Sequence, residues 1–245
     1  MAWKPPRNLP NAITISRLVL AACLFVILGI VTAAQQSAGS PEQSEWLRDV
    51  LSRERLLFGI STVIFVLAAF SDMLDGYVAR RWNLQTDFGR IVDPFADKVT
   101  ICGAFVFLIS LKGSPIAGWM VVVILARELL VDGLRGFAES RGVAFPSQWA
   151  GKVKMFVQSV CIGWALTTMA AFPGESWALW VGVALALTTI ASTLYSGGIY
   201  VFHARRVLGA DQISAPATGM TPAPAPAPTT PAVTTETTPA QGDPA

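Results

Sequence analysis

One histidine and three cysteines are all that this 245-residue sequence offers among nitrogen and sulfur metal ligands. The cysteines, Cys23, Cys102 and Cys161, fall inside apolar runs and share no pairing pattern. That argues against a disulfide framework or a zinc site and leaves them as small core residues. The lone His203 stands at the end of an apolar segment and reads as interfacial rather than catalytic. Charge is scarce as well. Only 14% of residues are charged against 53% hydrophobic, too apolar for an ordinary soluble domain. A net charge of +2 gives no ground for a nucleic-acid partner. No repeat of fixed period is visible, and the length suits one domain.

What the sequence has in quantity is apolar segments of spanning length. Six are expected to be transmembrane helices, at roughly 20 residues each for a hydrocarbon core of about 30 Å. They are approximately 13–34, 56–78, 91–112, 115–138, 152–172 and 177–203. The expected fold is therefore an all-α integral membrane protein, with 1–208 as the membrane unit. The first segment, preceded by Lys4, Arg7 and Arg17 and ending in Val-Thr-Ala-Ala, has features of a cleaved secretory signal. Its length favours a retained span. Residues 42–55 suggest a short surface helix. From 209 to 245 the chain turns to Pro, Ala and Thr, a composition expected to stay disordered.

Lys and Arg are distributed unevenly. With the N-terminus inside, all of the 18 but Arg48, Arg53, Arg55 and Lys112 fall on the inner side. This bias predicts a multi-pass protein of the cell (inner or plasma) membrane with both termini cytoplasmic. Trp82 and Trp149 would mark the inner interface, and Trp46, Trp119, Trp177 and Trp180 the outer one.

The chemistry-bearing stretch runs from Asp72 to Asp97. Asp72 and Asp75 are three apart, Asp93 and Asp97 four apart, so on helices each pair shares a face. Gly76, Ala79 and Arg80 follow the first pair and Gly89 precedes the second; the small residues leave room for close approach to the backbone. Four clustered acids near a membrane call for a compensating cation. Oxygen-only ligation favours Mg²⁺ or Mn²⁺. Two such ions are the usual device for holding a diphosphate during its displacement. Pro94 suggests a helix start or a kink.

The pattern D-x2-D-G-x2-A-R-x8-G-x3-D-x3-D resembles the signature of the CDP-alcohol phosphotransferases at every position. That resemblance implies an integral membrane enzyme that moves a phosphatidyl group from CDP-diacylglycerol to an alcohol and releases CMP. It also implies that Asp72, Asp75 and Asp93 hold one ion, while Asp72, Asp93 and Asp97 reach the other. Gly76, Ala79 and Gly89 would leave space for the cytidine, with Arg80 on the diphosphate and Thr14 as a further candidate. Asp97 is the candidate general base. A homodimer follows from the same resemblance.

A second cluster comprises Arg127 and Arg135, eight apart on one helix face, and Lys152 and Lys154 at the start of the next span. Together they could form an anion pocket suited to a substrate phosphate. Topology alone also places basic residues at inner helix ends. Glu128 and Asp132 lie close enough in sequence to pair with these cations. The run Arg-Glu-x4-Gly-Leu-Arg followed by Gly-Lys-x-Lys resembles the branch of the family whose acceptor is sn-glycerol 3-phosphate. In that reading Arg127, Arg135, Lys152 and Lys154 hold the acceptor phosphate, helped by Arg17. Inositol phosphate needs the same charges, and serine or phosphatidylglycerol are further acceptors within the fold. From another class, intramembrane acids also mark ion paths in divalent-cation transporters. Ser192, Ser196 and Gly197 would permit close helix packing in the last span.

Overall fold

An apolar chain in a bilayer has no water to satisfy its peptide groups, so each crossing segment must close its own backbone hydrogen bonds as a helix. A computed structural model of the chain describes residues 9–38, 44–82, 87–141 and 149–214. Side chains are described within 14–38, 44–71, 92, 94–141, 149–202 and 204–205. Among the described residues there are seven helices and no strand. They are α1 (Leu9–Gln36), α2 (Glu45–Ser52), α3 (Glu54–Trp82), α4 (Asp87–Ser110), α5 (Gly118–Ser140), α6 (Trp149–Ala171) and α7 (Ser176–Ser214).

Each of the six expected spans falls on one of the long helices, three of them running one to three residues past a helix end, and the expected surface helix is α2, which buries none of its residues. Four stretches among the described residues are long and apolar enough to cross a membrane: Thr14–Gln36, Glu54–Ser71, Trp149–Ala171 and Ser176–Phe202. The other two long helices, α4 and α5, measure 24 and 23 residues. They carry charges within the fold, Asp97 and Lys98 on α4 and Arg127, Glu128, Asp132 and Arg135 on α5, which lower their apolar character. Pro94 is inside α4, so the helix starts before the proline rather than at it. The boundary expected at 208/209 falls within α7, and 215–245 lie outside the described residues.

Several hydroxyls within these apolar helices are satisfied locally. Thr62, Thr100, Thr168 and Thr189 each donate to the carbonyl four residues back. Gly113 and Gly174, with φ of 83° and 84°, turn the chain between α4 and α5 and between α6 and α7. At that end of the bundle the Gln35 side chain joins three elements. Its amide nitrogen donates to Glu54 at the start of α3, and its oxygen accepts the Lys112 backbone N–H after α4.

The core is built from α1, α3, α4, α5, α6 and α7, with Leu24, Leu28, Phe65, Leu108, Ile124 and Leu166 fully buried. Since α1 supplies part of this core and packs on α3 and α4, it is a working member of the bundle. The cysteines divide. Cys161 is buried as expected, Cys102 is half-buried, and Cys23 is exposed on α1, which corrects its reading as a core residue.

At the α1–α4 seam an aromatic side chain of one helix sits directly on a glycine of the other. Phe25 of α1 stacks on Phe107 with ring centroids 5.5 Å apart, and it covers Gly103 of α4. A Cβ at Gly103 would lie 2.3 Å from Phe25 Cζ, so the helices meet where one residue has no side chain. Gly103→Ala is expected to lower the thermal unfolding temperature in detergent, through the roughly 1–3 kcal/mol that overpacking costs. Adding Phe25→Leu should recover most of that loss. A Gly103→Ala melting temperature equal to the parent's would refute this packing.

Candidate active site

Both acidic pairs of the motif are on helical backbone: Asp72 and Asp75 near the end of α3, Asp93 and Asp97 near the start of α4. The side chains of Asp72, Asp75, Arg80 and Asp93, together with the surroundings of Gly76, Ala79 and Gly89, lie outside the described residues. Asp97 is described, and it is half-buried. Arg17 of α1 donates from Nη1 to Asp97 Oδ1 at 2.7 Å, with the arginine side chain 2% exposed. Thr14, one turn earlier on α1, is buried as well. Helices α1 and α4 run in the same direction, since Arg17 meets Asp97 and, further along both, Phe25 meets Gly103.

Among the described residues no three or more His, Cys, Asp or Glu are grouped as a metal site. The chemistry of the donor set nevertheless fits a hard divalent cation: the four candidates are all carboxylates. The one that is described already draws a cationic group onto its oxygen.

Beside Asp97 is a cavity of about 220 Å³ walled by α4, α5, α6 and α7. All four cations of the second cluster, Arg127, Arg135, Lys152 and Lys154, line it together with Asp97. Neither Arg17 nor Thr14 is among its lining residues. Arg17, expected to help with the acceptor phosphate, is bonded to Asp97.

Helix spacing explains the convergence. On α5, Arg127 and Glu128 lie two turns from Arg135; on α6, Lys154 follows Gly151 by one turn. Glu128 is the hub between the two helices, bonded by Lys154 and by Arg127 at 3.3 Å. Asp132 pairs with Lys98 of α4. Arg127 also donates to Ser196 Oγ of α7 at 2.6 Å, and its guanidinium carbon lies 5.4 Å from the Tyr200 ring centroid. Arg135 reaches the Tyr200 hydroxyl at 3.5 Å.

Several members of the site carried no clear signal in the sequence. Tyr200 is an uncharged residue in a long apolar helix. Ser196 and Gly197 read as a small-residue packing stripe, and in the structure they pack against Arg127 of the same chain: a Cβ at Gly197 would lie 3.1 Å from Arg127 Cγ. Lys98 was one inner-side cation among many. Its position one residue after Asp97 was the available hint.

The arrangement suits an anion. Lys152 is exposed at the rim, and three further cations lie deeper, two of them sharing Glu128. Removing one partner of such a buried cluster strands the others. Glu128→Ala is thus expected to destabilise the protein by about 3–5 kcal/mol. Millimolar inorganic phosphate should restore part of the lost melting temperature by occupying the stranded cations. A variant as stable as the parent would show that Glu128 is no hub.

Comparison with known proteins identifies the family. The profile of the CDP-alcohol phosphatidyltransferase family matches residues 7–189. A Bacillus subtilis (strain 168) protein named CDP-diacylglycerol–glycerol-3-phosphate 3-phosphatidyltransferase is 31% identical over 183 residues, 72% of this chain and 88% of the relative. Proteins of the same name from Salmonella choleraesuis and Rickettsia bellii are 30% and 36% identical. They cover 81% and 63% of this chain and 95% and 72% of their own lengths. With its acidic motif matched at every position and the profile covering more than half of its length, this chain belongs to the CDP-alcohol phosphatidyltransferase family of membrane proteins.

Proposed function

We propose that this protein transfers the phosphatidyl group of CDP-diacylglycerol to sn-glycerol 3-phosphate, giving phosphatidylglycerol phosphate and CMP. The observation that carries this reading is the convergence of Arg127, Arg135, Lys152, Lys154 and Asp97 on one cavity. It offers a phosphate-binding wall and a carboxylate to one small acceptor. The names of the relatives supply the identity of both substrates.

The four cations hold the acceptor phosphate by charge-assisted hydrogen bonds. This directs a hydroxyl of the glycerol toward Asp97. The hydroxyl oxygen attacks the phosphorus that bears the diacylglycerol, the bond from that phosphorus to the CMP oxygen breaks, and the hydroxyl proton passes to Asp97. Arg17 orients the Asp97 carboxylate through its 2.7 Å bond. Two Mg²⁺ or Mn²⁺ ions, held by Asp72, Asp75, Asp93 and Asp97, would neutralise charge on the diphosphate oxygens and on the departing CMP. Gly76, Ala79, Arg80, Gly89 and Thr14 belong to the CDP-diacylglycerol side in this reading. The asymmetric distribution of Lys and Arg supports a cytoplasmic active site and cytoplasmic termini in the inner membrane. A homodimeric assembly rests on family resemblance.

The test is CMP release from CDP-diacylglycerol by purified protein with Mn²⁺ or Mg²⁺ and one acceptor per reaction. Release is expected with glycerol 3-phosphate and not with inositol phosphate, serine or phosphatidylglycerol, and excess EDTA should abolish it. Release with a different acceptor would overturn the substrate assignment. No release with any acceptor from folded protein would overturn the activity.

Within that assay the two halves of the site separate. Lys152→Ala, at an exposed position, is expected to raise KM for glycerol 3-phosphate roughly tenfold or more, the size of one charge-assisted hydrogen bond, with KM for CDP-diacylglycerol unchanged. Asp97→Asn is expected to depress kcat at saturating metal and acceptor. Parental kcat in that variant would remove Asp97 from proton transfer.

A further inference from the structure

Among the described residues, three buried side-chain polar atoms on the cavity wall lack a hydrogen-bond partner: Arg127 Nε, Arg135 Nε and Gln158 Nε2. All three are donors, so what is missing from this wall is acceptor atoms. An oxygen-rich occupant would supply them.

The two arginines belong to the cationic cluster already described. Gln158 does not, and it carries no charge. It is 1% exposed and lies one turn beyond Lys154 on the same face of α6, about 6 Å further along the helix axis. The α4 wall changes character over the same interval, from Asp97 and Lys98 to Ile101 and Cys102. Gln158 is thus an uncharged polar group of the cavity wall one turn further in than Lys154, where α4 presents Ile101 and Cys102.

A carboxamide with an unpartnered N–H at that position needs a ligand atom. The cations nearer the mouth match a dianionic phosphate in charge. A neutral amide, which both donates and accepts, matches a hydroxyl, which does the same. We infer that Gln158 is a specificity-determining residue, its side-chain amide hydrogen-bonding the non-reacting hydroxyl of the phosphorylated acceptor. The inference rests on the proposed function. It adds that the cavity selects a polyol phosphate over a simple alcohol phosphate of the same charge and length. The physical basis is the penalty for leaving a buried donor unmet when the hydroxyl is absent.

The test compares glycerol 3-phosphate with propane-1,3-diol monophosphate, which keeps the phosphate and the attacking hydroxyl and lacks the middle one. The parent protein is expected to favour glycerol 3-phosphate in kcat/KM by roughly tenfold or more. Gln158→Leu, of similar volume, should bring that ratio close to one, mainly by losing activity on glycerol 3-phosphate. Gln158→Met serves the same purpose where Gln158→Leu does not fold.

A parent protein that does not distinguish the two acceptors overturns the inference without any variant. So does a variant that loses activity equally on both, since that marks a contact to phosphate or a packing role. A parent inactive with glycerol 3-phosphate and active with another acceptor overturns the proposed function instead, which separates the two failures.

Discussion

Charge inside an apolar bundle is tolerated only where counter-charge meets it at contact distance, and the packing of this protein follows from that requirement. Burying an ion costs several kcal/mol even after relaxation. Glu128 answers Lys154 and Arg127, Asp132 answers Lys98, and Asp97 answers Arg17. The pairs made by Lys154, Lys98 and Arg17 cross between α5 and α6, between α4 and α5, and between α1 and α4, so the helices are registered by charge at one end of the bundle. Apolar packing takes over beyond them. A hydrophobic replacement of such a network is often as stable or more so. Its presence therefore points to use: cations held by an internal carboxylate can be re-partnered by an incoming anion at lower cost than cations left alone.

Much of this was legible in the sequence, because the features concerned are local. Apolar runs of spanning length became long helices, and spacings of three, four and eight put the acids and arginines on common helix faces once the helices existed. Glu128 lies beside Arg127 in sequence, so its pairing was readable. What escaped depends on contacts between distant segments. Arg127 and Ser196 are 69 residues apart and Arg135 and Tyr200 are 65 apart, and neither Ser196 nor Tyr200 bears a charge that would draw attention. Arg17 was read by its charge alone. Only the parallel docking of α1 on α4, possible because Gly103 has no side chain, turns it toward a carboxylate. Cys23 was judged by its apolar neighbours, yet in a membrane helix an apolar neighbourhood does not decide which face is buried.

The α1–α4 seam therefore acts at two depths. Phe25 packs over Gly103, and further toward the start of both helices Arg17 holds the Asp97 carboxylate. Packing two turns away and the chemistry of the site are then not independent.

The core beyond Gln158 has a consequence of another kind. Along α4, α5 and α6 the cavity wall gives way within one to two turns to Phe105, Leu108, Ile124 and Leu166, all fully buried, and past them Gln35 ties α1, α3 and the α4–α5 turn together. The pocket is stoppered at its inner end. On the proposed function, both substrates would therefore reach the pocket from one side of the bilayer, and the product would be left in the leaflet that held its lipid precursor.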